Sequence, residues 1–380
     1  MNYPVFDREQ LVIGNLSGRK NKVIFEKDMI SPLQKLPKMS EGANRLIEKT
    51  VERMLMAREK KSSVMLTFGA HTIKNCMAPT LIELMKGGWL THLATNGAGI
   101  IHDWEIAFQG KTSEDVRENV QVGKFGIWNE PGFYINLAIL VGAYENLGYG
   151  ESIGKMIARE GLQIPETGDL YDEAIICMES DHGRAAAAID LAGAVKHFNL
   201  KAGWLSIPHP YKQYSVQAQA YELGIPFTGH PMFGHDIIYT HPVNHGAAIG
   251  RTALNDFLRF AASVAKLDYG VYMSVGSAVM SPMIFEKALS MSQNLKIQKG
   301  KHIDHHYILI VDLAESDWDW QKNGEPPMNH PAYYLRYCKT FHRMGGEMDY
   351  LTSDNRDFLL ALHQKISYQV RTKSVPSPNK

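Results

Sequence analysis

Polar residues able to do chemistry gather where apolar runs of this chain stop. In Thr91-His-Leu-Ala-Thr-Asn-Gly-Ala-Gly-Ile-Ile-His-Asp103 an apolar run gives way to Thr95, Asn96, Gly97 and Gly99, then to His102 and Asp103. A buried parallel strand ends this way, in a tight glycine-bearing turn at the top of an α/β sheet. Glycine at 97 and 99 admits a close ligand or a positive φ. Three similar ends are Phe68-Gly-Ala-His-Thr72, Met273-Ser-Val-Gly-Ser-Ala278 and Thr352-Ser-Asp-Asn355. They offer His71, Thr72, Gly276, Ser277 and Asp354. Such residues suit a nucleotide: glycine lets phosphate approach, hydroxyls donate, and a carboxylate accepts from ribose. No single G-x-G-x-x-G runs from strand to helix, so the dinucleotide signal is spread over several loops.

A second group lies in Gly229–His245, which holds His230, His235, Asp236, His241 and His245. Neutral imidazoles and a carboxylate are metal-ligand types. Their spacings of 5, 6 and 4 residues fit no metal motif, which favours a polar loop bonded to backbone or ligand and no metal. Asp312, Glu315, Asp317 and Asp319 surround Trp318 and Trp320. Carboxylates beside aromatic faces suit a cationic amine, whereas an ordinary acidic loop is simply solvated. Lys339 sits in the aromatic stretch Tyr334–Phe341. Desolvated, it would be a nucleophile toward a carbonyl or imine. Helical periodicity by itself places it on a wet face.

These residues need a scaffold. Short apolar runs alternate with helical periodicity, so the expected fold is α/β, a mostly parallel sheet with helices on both faces. Strands are predicted at 64–67, 92–95, 203–207, 226–228, 271–275, 307–312 and 348–352. Helices are predicted at 43–58, 76–85, 133–145, 184–198, 215–223, 252–266, 282–292, 332–343 and 357–367. Residues 1–40 read as an N-terminal arm, 41–368 as a single α/β domain and 369–380 as a disordered tail.

Forty basic and forty acidic residues give zero formal charge, which argues against nucleic acid or a membrane surface as partner. Cys76, Cys177 and Cys338 are far apart, so neither a disulfide framework nor a cysteine metal site is expected, and a cytoplasmic home is the simplest. There is no signal-peptide pattern and no long uncharged apolar run.

Taken in order, these landmarks resemble deoxyhypusine synthase over residues 45 to 365. That family has a strand ending T-T-A-G-G plus acids; here it is Ala94-Thr-Asn-Gly-Ala-Gly99 with Asp103. Its I-P-V-F strand and G-D-M-I loop are met by Ile225-Pro-Phe-Thr228 and Gly234-His-Asp-Ile-Ile-Tyr-Thr-His241, which match Asp236 and His241. Its N-T-A-Q-E-x-D resembles Val311-Asp-Leu-Ala-Glu-Ser-Asp317, and its W-G-K is met by Tyr337-Cys-Lys339. The aspartate closing the family's last strand resembles Asp354.

The resemblance implies a Rossmann-like, deoxyhypusine synthase-like NAD-binding fold and a homotetramer. It implies that NAD takes a hydride from an amine-bearing carbon and that a lysine captures the imine. His71, Thr72, Thr95, Asn96, Gly97, Gly99, Asp103, Gly276, Ser277 and Asp354 would then hold NAD. Asp236, Asp317 and Asp319 would bind the substrate cation, with Lys339 and His241 catalytic. His102 replaces a family glutamate and is grouped with the substrate binders. Tyr333 and Tyr337 replace the acid and indole before the lysine, so the chain reads as a divergent relative and not a true deoxyhypusine synthase. The expected function is therefore NAD-dependent chemistry on an amine or similar small polar substrate. The alternatives are a metal-dependent enzyme using the 230–245 histidines and a catalytically silent nucleotide binder.

Overall fold

The computed structural model describes residues 3–374. Its main strands are β1 (Val64–Phe68), β2 (His92–Asn96), β3 (Phe227–His230), β4 (Val271–Val275), β5 (Tyr307–Asp312) and β6 (Glu347–Thr352). Its main helices are α1 (Glu41–Lys60), α2 (Ala78–Lys86), α3 (Gly97–Gln109), α4 (Asn129–Tyr144), α5 (Tyr149–Arg159), α6 (Thr167–Cys177), α7 (His182–His197), α8 (Val216–Leu223), α9 (Gly246–Val264), α10 (Met280–Ile297), α11 (Arg336–His342) and α12 (Asn355–Ser374). The residues fall into two compact units. One is drawn from Met1–Asp28, Asn96–Glu222 and Phe227–Asp256, the other from Met29–Thr95, Leu223–Pro226 and Phe257–Lys380.

The second unit carries the sheet. Five strands run parallel in the order β6-β5-β4-β1-β2. The chain steps from β1 outward to β2, then returns to the other side of β1 with β4 and continues outward through β5 and β6. The strand order therefore reverses between β1 and β4, where open α/β sheets bind ligands. β1 and β4 are buried along their whole length, as β-branched and apolar runs must be when helices cover both faces. Met65, Tyr272, Ile308, Ile310 and Met348 point to one face, against Phe285 of α10 and Phe341 of α11. On the opposite face α1 brings Lys49 and Arg53 over the Tyr307 ring, and α12 packs on α1. The expected parallel sheet with helices on both faces is present.

The first unit is mostly helical. Its sequence explains the helix ends. Asn96 caps α3 by accepting from the Gly99 N–H at 2.9 Å, and Gly110 ends that helix with a φ of +65°. Helix α3 was not anticipated, because Gly97-x-Gly99 reads as a turn. The predicted strand at 203–207 forms, but Gly203–Ser206 pairs antiparallel with Gly161–Ile164, outside the parallel sheet. Helix α12 runs to Ser374, so 369–374 of the predicted tail continue a helix. Residues 375–380 lie outside the described residues.

Candidate functional site

In the second unit the carboxyl ends of β1, β4, β5 and β6 are knitted together. The Gly69 N–H donates to the Val275 carbonyl at 3.1 Å, Gly276 to Val311 at 2.9 Å, and Ser353 to Asp312 at 3.0 Å. A Cβ built on Gly69 would lie 2.1 Å from the Gly276 carbonyl oxygen, so only glycine allows this approach. Gly276 itself has a φ of +57°. Thr95 Oγ1 donates to the Phe68 carbonyl at 2.8 Å, tying the end of β2 to β1. Ser277 accepts from the Ser281 N–H at 3.3 Å. Asp354 is gripped by Arg356 through Nε at 3.1 Å and Nη2 at 3.2 Å. Burial pushes its carboxyl up, but the bonds from Arg356 prevail and hold it below the usual range. His71 is exposed at the start of a single helical turn, His71–Lys74, and Thr72 behind it is buried.

The acidic loop of the same unit does not form a basket of carboxylates around aromatic faces. Trp320 turns inward and is 2% exposed, and Trp318 donates from Nε1 to the Gly324 carbonyl at 2.9 Å. Asp317 and Asp319 turn outward, and Asp319 caps the turn Trp320–Asn323 through the Lys322 N–H. Lys339 pairs with Glu325 at 3.3 Å, and its ammonium lies 4.5 Å from the Tyr333 ring centroid. Glu325 also binds Arg343. An amine so engaged has to leave both partners before it can attack.

In the first unit the residues expected to hold NAD or substrate along α3 separate into two groups. Asn96, Gly97 and Gly99 build the helix start. His102 and Asp103 lie within the helix and are bound into the protein. Asp103 is fully buried and accepts from Ser215 Oγ at 2.6 Å, the Val216 N–H at 2.9 Å, the Gln217 N–H at 3.2 Å and Gln217 Nε2 at 3.0 Å. It caps α8, which uses up its acceptor capacity. His102 shares Thr112 Oγ1 at 2.7 Å with a buried network of Arg19 and Glu105. Burial opposes the charge on Glu105, but bonds from His102 and Arg19 overcome it and hold the carboxyl at about 2.

Asp236 is the outlier of this unit. Its carboxylate lies over the first residue of α3, so that a Cβ on Gly97 would meet Oδ2 at 1.9 Å. Oδ2 is buried and has no hydrogen-bond partner among the described residues. Burial pushes this carboxyl up to about 7. The loop holding it is fixed by Asn136 Nδ2 donating to the Ile238 carbonyl at 2.9 Å and by Thr240 Oγ1 donating to the Gly126 carbonyl at 2.8 Å.

The histidines do not converge. His230 shares Thr228 Oγ1 at 2.9 Å, and burial pulls it down to about 3. His241 accepts the Val243 N–H at Nδ1 and meets Asn129 through Nε2 at 3.3 Å; burial, then Arg8, lowers it to about 4. His245 faces Asp190 at 3.7 Å, and His235 is exposed. Among the described residues no group of three or more His, Cys, Asp or Glu is arranged to hold a metal ion. Nor is any described helix long and apolar enough to cross a membrane.

Tyr149, Tyr239, Arg356 and Glu325 were not singled out from the sequence. Tyr149 is fully buried, and no local pattern marks it so.

No protein-family model matches the chain, and no curated protein matches it. Solved structures do. The chain is similar to AgrE in a ternary complex with ornithine and NAD+, at 12% identity and a TM-score of 0.45, over 90% of this chain and 35% of that one. It is similar to a conserved putative LOR/SDH protein from Methanococcus maripaludis S2, at 11% identity and a TM-score of 0.42, over 90% and 72%. A third is ArgZ, an arginine dihydrolase from the ornithine–ammonia cycle in cyanobacteria, at 13% and 0.38, over 86% and 33%. The chain spans 34% of the length of unliganded AgrE. None of these is a deoxyhypusine synthase.

Proposed function

We propose that the chain is an enzyme that binds NAD at the strand ends of its second unit and oxidises a small amine-bearing substrate. One observation carries the nucleotide half. At the reversal of strand order, Gly69 packs against the Gly276 carbonyl with no side chain between them, and this brings Gly276, exposed and with a φ of +57°, to the crevice beyond the strand ends. The exposed backbone of Gly276 suits the close approach of a pyrophosphate. Ser277 supplies a hydroxyl beside it. Asp354 supplies an acceptor for a ribose hydroxyl, already oriented by Arg356. Bound nicotinamide would supply a hydride acceptor.

The amine half rests on Asp236. A buried carboxylate without a partner is unfavourable, and a bound ammonium would relieve it. The proposal stops at the imine, because Lys339 is engaged by Glu325 and Tyr333.

Melting curves with NAD+ and NADH test the first half. Saturating nucleotide at a hundredfold excess over Kd stabilises by about 2.7 kcal/mol. Amine-dependent growth of NADH absorbance tests the second. No melting shift at millimolar NAD+ would sink the reading. A shift without turnover on any small amine would leave a silent nucleotide binder.

A further inference from the structure

A cavity of about 280 Å³ opens in the second unit between the segment 30–37 and the first turns of α12. Ile30, Leu36, Pro37 and Leu360 give it apolar walls. Lys35, Arg356 and Asp357 bring charges of both signs to the same space. We infer that this cavity is a binding site for a small zwitterion with an apolar side chain, an aliphatic α-amino acid. The inference goes beyond the proposed nucleotide site and does not depend on it.

Both walls are held in place. Gln364 of α12 donates from Nε2 to the Pro32 carbonyl at 3.0 Å and to the Gln34 carbonyl at 2.8 Å. The segment 30–37 is thereby tied to the helix it faces. Asn75 Nδ2 donates to Asn355 Oδ1 at 2.9 Å and holds the start of α12. That helix also packs on α1 and α2.

The charges of the cavity are not spent on one another. Asp357 is half-buried, and among the described residues its carboxylate has neither an ion pair nor a hydrogen bond. Burial, then the charge of Asp354, pushes this carboxyl up, and Arg356 offsets only part of that. Lys35 is exposed and pairs with no carboxylate among the described residues. Arg356 gives Nε and Nη2 to Asp354, which fixes its guanidinium and leaves Nη1 for a ligand.

This set selects the ligand. A half-buried carboxylate without a partner is unfavourable, and an ammonium relieves it. A simple amine, however, would also meet the two cations of the cavity, and a simple carboxylate would meet Asp357. A zwitterion answers both signs. In an α-amino acid the two charges sit on one carbon, as Arg356 and Asp357 are successive residues of one helical turn. The aliphatic side chain then covers Ile30, Leu36, Pro37 and Leu360. Pockets for drug-sized ligands run from roughly 300 to 1,000 Å³, so this one suits a smaller molecule.

The experiment uses the whole chain and five probes: L-leucine, glycine, 4-methylpentanoate, 3-methylbutylamine and AMP. Calorimetric titration at neutral pH should show saturable binding of leucine. 4-Methylpentanoate lacks its ammonium and 3-methylbutylamine its carboxylate, so each should bind about tenfold more weakly, the value of one hydrogen bond to a charged group. Glycine should bind more weakly still, having no side chain to bury. Asp357→Asn should weaken leucine about tenfold and melt within a few degrees of the parent, since it removes a carboxylate that has no protein partner. Lys35→Met should weaken it only a few-fold, because an exposed pair contributes less. Amine or acid binding as tight as that of leucine overturns the inference. So does leucine binding that Asp357→Asn leaves unchanged. AMP binding that Asp357→Asn weakens, with no leucine binding, overturns it too and makes the cavity the adenine end of the nucleotide site. No leucine binding by the folded parent also overturns it, while the NAD+ melting shift reports separately on the nucleotide reading.

Discussion

The carboxylate of Asp236 lies over Gly97, the first residue of helix α3, with room there for a hydrogen and nothing larger. The two residues are distant in sequence, yet each explains the other. Glycine is a poor helix former, although it costs less at the first helical position than in a helix interior. Its cost here is offset by the space it leaves for Asp236. Gly97→Ala should therefore displace that carboxylate and lower the melting temperature, because a Cβ there would lie within 2.9 Å of three atoms of Asp236. A melting temperature equal to the parent's would show that the carboxylate does not press on this position.

Asp236 should also set a pH dependence. Its carboxyl is pushed up to about 7 in the folded chain, from an ordinary value of 3.8. Between those values the native state holds a proton that the unfolded state has lost. The stability from this group is complete below about pH 4 and is lost as pH rises through 7, by about 4 kcal/mol in all. His230 and His241 act the other way. They are lowered to about 3 and about 4, so their contribution is present above pH 6.5 and lost as pH falls. The test is thus a difference: urea unfolding of parent and Asp236→Asn from pH 4 to 8. The parent should lose stability relative to the variant as pH rises. A flat difference would mean that the carboxylate is solvated or paired in solution.

Asp103 should prove structural. Its two oxygens accept four hydrogen bonds from Ser215, Val216 and Gln217 at the start of α8. Asp103→Ala leaves those buried donors unmet, a cost of about 3 kcal/mol. Urea titration reads that loss, and the NAD+ melting increment should survive it. Loss of the increment with little loss of stability would instead place Asp103 at the nucleotide.

Lys339 can be separated into its two possible roles by arginine. A guanidinium keeps the pair with Glu325 and the contact with Tyr333 but stays protonated and cannot attack an imine. Lys339→Arg should retain amine oxidation, and borohydride added during turnover should label no lysine. Loss of turnover in this variant, with a borohydride adduct at Lys339 in the parent, would restore the lysine as nucleophile. Lys339→Ala should lower stability by less than about 1 kcal/mol, because the pair lies near the surface.

Much of the scaffold was legible in the residues themselves. Val271–Val275 and Tyr307–Asp312 are strands with the bounds their apolar runs predict, since a strand covered on both faces is apolar throughout. Helix α3 was missed although its caps were present. Asn96 and Gly110 mark its two ends, and the two glycines of its first turn outweighed them. The glycines at 69, 97 and 276 were visible as places where backbone comes close to something.

What they come close to was decided by packing. Gly69 meets Gly276 because β1 and β4 are neighbours, a pairing that crosses most of the chain. The tryptophans of the acidic loop turned into the core and its aspartates outward, because burying indole is favourable and burying unpaired carboxylate is not. Asp103 stands beside His102 and looks like a site residue, yet it is a cap, because the start of α8 folds onto it. Tyr149 becomes one of the most buried side chains, its ring against Gly229 of β3. Period and capping are local properties and are written in the sequence. Whether a polar atom ends up paired, solvated or alone depends on which distant segment lands beside it, and only the tertiary structure decides that.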